Sequence, residues 1–141
     1  MKTLKFVVKI QAPAAKVWEV LWNDDTYRKW TTVFHEGSHA VSDWKEGSKI
    51  LFLGPNGDGM FSIIEKKTDN KLMVFKHLGE LKNGIETVSD WGEARERYDL
   101  TEESGATELT VTLDSVEEFQ DYFSDTFPKA LDIIKQISEM K

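Results

Sequence analysis

The sequence predicts an α+β fold. It comprises a curved antiparallel sheet of about six to seven strands, two short helices after the first strand, and a long, kinked C-terminal helix across the concave face. Three observations predict it. Alternating apolar residues open the chain and recur through its middle between short turns. Apolar residues at helical spacing follow the first strand at once. A continuous helical stripe fills the C-terminal end.

Leu4, Phe6, Val8 and Ile10 alternate with Lys5, Val7, Lys9 and Gln11, the period of a strand with one buried face. Ala12-Pro13 ends it, and proline suits the first turn of a helix. Val17, Trp18, Leu21 and Trp22 then mark a helix over 13–22. Asn23-Asp24 punctuates it, and Asp24 can cap a second short helix running to Trp30. Residues 49–53, 60–67, 72–78, 93–101 and 109–113 read as strands, and the short turns between several of them require antiparallel neighbours. The segment 79–91, with Gly79, Gly84, Ser89 and Asp90, reads as a long loop or a frayed hairpin end. Ser115 and Glu118 have capping-box spacing. Phe119, Phe123, Phe127, Ala130, Leu131, Ile134 and Ile137 continue as one helical stripe. Pro128 inside it predicts a kink rather than a stop, because proline cannot donate to the carbonyl of Ser124. A helix over 116–139 is about 35 Å long at 1.5 Å per residue.

The 141 residues fit one domain spanning 1–141. A net charge of −7 argues against nucleic acid as a partner, since phosphate neutralisation needs a dense basic surface. The acidic excess lies in the second half of the chain. With no cysteine there are no disulfides, thiolate metal sites or cysteine nucleophiles. No apolar run reaches the ~20 residues of a membrane span, and Lys5 and Lys9 interrupt the first apolar stretch, unlike a signal peptide. The expected location is the cytoplasm. No cofactor is expected.

Two stretches carry a family resemblance. Ile10-Gln11-Ala12-Pro13-Ala14-Ala15-Lys16-Val17-Trp18-Glu19-Val20-Leu21-Trp22-Asn23, followed by Trp30, resembles the opening of the START-related, or SRPBCC, helix-grip superfamily of pollen-allergen-like and polyketide-cyclase-like domains. Phe127-Pro128-Lys129-Ala130-Leu131-Asp132-Ile133-Ile134-Lys135 is similar to the C-terminal helix of the branch homologous to activators of a heat-shock-protein ATPase. The strand Gly105-Ala106-Thr107-Glu108-Leu109-Thr110-Val111-Thr112-Leu113 also fits that branch. One departure is Thr126-Phe127, where branch members usually carry Gly-Trp. The resemblance implies the helix-grip fold and, as one function, stimulation of a chaperone ATPase.

A single helix across a strongly curved sheet leaves part of the concavity unfilled, and pockets of this kind are mostly apolar and aromatic. The expected lining is Phe119, Phe123 and Phe127 on the helix, Phe52, Phe75, His77 and Tyr98 on the sheet, and Trp30 beside them. His77 shares strand parity with Met73 and Phe75, so it reads as a polar anchor or a general base with no evident nucleophile to activate. Arg95 and Arg97 fall opposite Tyr98, with Glu93 and Glu96 close in sequence, and read as members of cross-strand surface pairs; the alternative is an inward arginine holding a carboxylate or phosphate. Asp90-Trp91 stands at a strand entrance, as a cap or a gate. His35 and His39 lie four apart in a Gly/Ser-containing segment, where that spacing does not converge two side chains on a metal.

The leading functional expectation is binding of a small apolar or amphipathic, lipid-like or polyketide-like molecule between helix and sheet. A protein-interaction module, its acidic half facing a chaperone or another basic protein surface, is the alternative. A cyclase- or hydrolase-like enzyme is third, because no complete acid–base constellation is legible.

Overall fold

A computed structural model describes residues 2–89, 94–115 and 117–140. The chain runs β1 (Lys2–Ile10), α1 (Ala14–Trp22), α2 (Asp24–Trp30), a 3-10 turn (Thr31–Val33), then β2 (His39–Val41), β3 (Lys49–Leu53), β4 (Gly59–Thr68) and β5 (Leu72–Lys82). It continues through β6 (Ile85–Val88), β7 (Arg95–Glu103) and β8 (Ala106–Ser115) to α3 (Glu117–Glu139). The strands form one eight-stranded antiparallel sheet in the order β1-β8-β7-β5-β4-β3-β2, with β6 paired to β5 off this path. The short strands β2 and β6 bring the number above the six or seven that alternation predicts.

Over residues 79–89 the hairpin reading holds and the loop reading does not. β5 runs on to Lys82 and turns through Asn83-Gly84 into β6. Asn83 has φ 53° and Gly84 φ 77°, the left-handed pair that a tight hairpin requires. All four residues of β6 are exposed, so no apolar alternation betrays it. Gly79 is needed for close approach: a Cβ there would stand 2.1 Å from the carbonyl oxygen of Thr87. Asn23, not Asp24, caps α2, its side chain accepting from the amide of Asp25 at 3.1 Å. The Asp90-Trp91 gate and Glu93 lie outside the described residues, as does the Glu118 side chain on which the Ser115–Glu118 cap rests.

The helices lie on one side of the sheet. α3 continues through Pro128, lies along β1 and packs on α1 and α2. Its stripe buries Phe127, Ala130, Leu131 and Ile134 in a core shared with Ile10, Val17, Leu21, Ile64, Leu109 and Val111. Full burial of one such large aliphatic side chain contributes about 1.5–3 kcal/mol.

The far end of α3 is clamped to the β1–α1 corner. Lys135 Nζ donates to the Lys9 carbonyl at 3.1 Å and to Glu139 at 2.6 Å, and Glu139 accepts from the Gln11 amide at 2.8 Å. The Lys135 hydrogen bond, then the Gln11 amide, holds the Glu139 carboxyl below its ordinary value. A carboxyl depressed by folding stabilises the fold above its unfolded pKa, and that contribution disappears as pH falls through the folded value. Glu139→Gln is therefore expected to flatten the dependence of the urea midpoint on pH below about pH 4.5, the ordinary carboxylate range. An unchanged acid limb would remove the clamp from the list of acid-sensitive contacts.

Candidate functional site on the concave face

Three neighbouring strands, β4, β5 and β7, bring Ser62, His77, Glu96 and Tyr98 together on the inner face. Ser62 stands opposite His77 because a register shift between Phe61 and Ser62 skips Leu78. Phe75 pairs with Glu96 and Met73 with Tyr98, so alternation turns Glu96 inward beside Tyr98. Arg95 and Arg97 lie on the outer face: Arg95 pairs across strands with Glu65 at 2.7 Å, as expected, and Arg97 with Asp99 on its own strand at 2.7 Å. The cluster lies where β5 passes from β7 to β6, with the His77 amide bonded to the Ala94 carbonyl at 3.0 Å.

The four side chains form a continuous hydrogen-bonded chain. Tyr98 Oη donates to Glu96 Oε2. Glu96 Oε1 is 3.2 Å from His77 Nε2, and His77 Nδ1 is 2.7 Å from Ser62 Oγ. With the imidazole neutral, the carboxylate accepts from Nε2–H and Nδ1 accepts the serine proton. Ser62 is fully buried, while the His77 and Glu96 side chains keep 10% and 17% exposure, so the chain reaches solvent at its carboxylate end. The polarity resembles that of a nucleophilic triad. Ser62 is nevertheless sealed in the sheet, and the arrangement suits a polar anchor better than an attacking hydroxyl. Burial, and then the Glu96 charge, raise the Tyr98 phenol well above its ordinary value; the same two causes raise Tyr27.

An aromatic wall surrounds the chain. Phe52 lies edge-on to Phe75 at 5.0 Å and to His77 at 6.0 Å. Trp30 lies 6.5 Å from Tyr98 and donates its indole N–H to the Leu21 carbonyl at 3.1 Å. The space left open by the sequence reading is occupied at its centre by Trp22. Its ring packs edge-on against Tyr98 at 4.9 Å and Phe75 at 5.4 Å, beside Trp44 at 5.7 Å. Trp44 holds this position from a left-handed backbone, φ 62°, and Lys67 Nζ secures its carbonyl at 2.7 Å. Helical spacing marks Trp22 as apolar core; its reach to the sheet centre depends on how α1 crosses the strands.

Among the described residues the helix rings form a second set. Phe127 is buried, stacked on Phe6 at 5.2 Å and edge-on to Phe34 at 4.9 Å. Phe123 is half-buried between Phe127 and Phe119, and Phe119 is 49% exposed. Thus Trp30, Phe52, Phe75, His77 and Tyr98 share one cluster, while Phe119, Phe123 and Phe127 belong to another. Two surface depressions lie elsewhere: one of about 420 Å³ over the outer face around Arg95 and Arg97, and one of about 400 Å³ between β1 and Pro128. His35 and His39 are each tied through Nδ1 to a nearby backbone carbonyl, of Glu36 and Gly37. No helix among the described residues is long and apolar enough to cross a membrane.

Residues 11–139 match the family described as activator of Hsp90 ATPase homolog 1-like protein. The chain belongs to this family. The START-related resemblance carried by its opening and closing motifs agrees with that membership. Among solved structures, the Aha1 dimer from Colwellia psychrerythraea shares 20% identity with this family member, with a TM-score of 0.77, over 99% of this chain and 98% of that one. ChR145 from Cytophaga hutchinsonii shares 23% identity, with a TM-score of 0.73, over 99% and 94%. DynU16, from the dynemicin biosynthetic locus, shares 16% identity with a TM-score of 0.75; the match takes in 99% of this chain but only 48% of DynU16. At these identities the likeness is one of fold. No curated protein matches the chain significantly in sequence.

Proposed function

We propose that this chain binds a small amphipathic molecule on the concave face, against the Ser62–His77–Glu96–Tyr98 chain. The observation that carries the reading is a hydrogen-bonded polar chain set into an aromatic wall and open to solvent at one end. A face serving only to pack would be filled more cheaply by apolar side chains, because each buried polar group must be desolvated. Phe52, Phe75, His77 and Tyr98 form the proposed site, with Trp30 behind them; Phe119, Phe123 and Phe127, expected from the sequence to line it, make a separate aromatic set along α3. Family membership is consistent with a ligand-binding fold and leaves the ligand open.

The test is a thermal-shift and tryptophan-fluorescence titration against lipids, flavonoids and aromatic polyketides. A true ligand at a hundredfold excess over Kd is expected to raise Tm by about 5–10 °C. A flat response across all three classes would overturn the reading. The outer face of α3 supports a second reading, docking to a basic protein surface: Phe119 and Tyr122 are exposed beside Glu117, Asp121 and Asp125. In that case the same preparation would accelerate ATP turnover by a heat-shock ATPase, in a salt-sensitive manner.

A further inference from the structure

We propose that the molecule bound on the concave face is a neutral compound carrying a carbonyl oxygen, and that this oxygen accepts the indole N–H of Trp22. The inference rests on the binding reading above and narrows its ligand class. Trp22 is 9% exposed, and its Nε1 is buried with no hydrogen-bond partner. The groups around it are the rings of Trp18, Trp44, Phe75 and Tyr98. The Tyr98 hydroxyl, the polar atom of that set nearest the polar chain, is already engaged with Glu96. The contrast with Trp30 is informative, since its indole, also buried, donates to the Leu21 carbonyl at 3.1 Å. Buried indole N–H groups normally find an acceptor, and phenylalanine would fill an apolar site without stranding a donor.

A second observation sets the charge of the ligand. The Glu96 carboxylate stands on the same face, bonded to Tyr98 Oη and 3.2 Å from His77 Nε2, with 17% of its side chain exposed. A carboxylate or phosphate brought there would meet like charge in a poorly solvated setting. A ketone avoids that repulsion while supplying the missing acceptor. A hydroxyl elsewhere on the same molecule would find an acceptor in Glu96. The class is therefore a neutral aromatic ketone, not a fatty acid.

Three probes of one shape decide this in the full chain: 2-acetylnaphthalene, its carbonyl-free analogue 2-isopropenylnaphthalene, and the anion 2-naphthoate. The ketone is expected to bind about tenfold more tightly than either of the others, the discrimination that one hydrogen bond to a buried donor supports. With the indole nitrogens labelled with ¹⁵N, the Trp22 N–H resonance shifts downfield with the ketone and not with the hydrocarbon. In Trp22→Phe, which removes the donor, the preference for the ketone over the hydrocarbon falls below about twofold. Equal affinity for ketone and hydrocarbon in the unmodified protein, or an unmoved Trp22 resonance at saturation, overturns the acceptor inference and leaves the binding reading standing. Tightest binding by 2-naphthoate overturns the neutral class. Failure of all three probes, together with a flat response to the wider panel, overturns both.

Discussion

Trp22→Ala is expected to destabilise the protein by about 3–5 kcal/mol, the range for removing a large aromatic side chain from a packed interior. The Trp22 ring is the joint between α1 and the centre of the sheet, touching Trp18, Trp44, Phe75 and Tyr98. None of these neighbours can easily collapse into the space. Phe75 and Tyr98 are fixed by strand pairing, and Trp44 is held by Lys67 and Ser42. The loss corresponds to a fall in Tm of about 10–15 °C for a chain of this size. Added indole should restore part of it, because an apolar hollow on a preformed face takes up an aromatic guest. Urea denaturation with and without indole checks both halves. A loss below about 1.5 kcal/mol would mean that α1 and the sheet close up without the ring.

What the sequence makes legible, and what it hides, follows the same logic. Leu4 to Ile10 show their strand because one face is buried and the other is not. Val17, Trp18, Leu21 and Trp22 show their helix for the same reason. β6 has no buried face, so only the Asn83-Gly84 turn announces it. His77 is placed by parity with Met73 and Phe75. Glu96 could have been placed in the same way from Tyr98, two residues on, but a charged residue among arginines invites the surface reading. Ser62 was the harder case. Its meeting with His77 depends on a register shift that alternation along a single strand cannot reveal. The helix phenylalanines are visible as a stripe, yet spacing along α3 says nothing of where its N-terminal end stands relative to the sheet. The orphaned Trp22 nitrogen is a tertiary fact, since the rings packed on it come from α1, the segment between β2 and β3, β5 and β7.

Glu96→Ala is expected to cost about 2–4 kcal/mol, because it strands two donors at once, Tyr98 Oη and His77 Nε2. Partial exposure of the carboxylate keeps the figure below that for a sealed ion pair. Glu96→Gln should lose less, since its amide oxygen can still accept one of the two. The more telling variant makes the whole chain apolar, with Ser62→Ala, His77→Phe, Glu96→Leu and Tyr98→Phe combined. None of the four replaced positions then leaves a donor unpaired, so this variant should be more stable than Glu96→Ala despite four changes. If the chain serves binding, the variant also loses its response to the ligands that shift the unmodified protein. Denaturant midpoints and the ligand titration, run side by side on the three proteins, separate the two roles. A combined variant less stable than Glu96→Ala, with its ligand response intact, would make the polar chain a structural tie and remove the chief support for a site on this face.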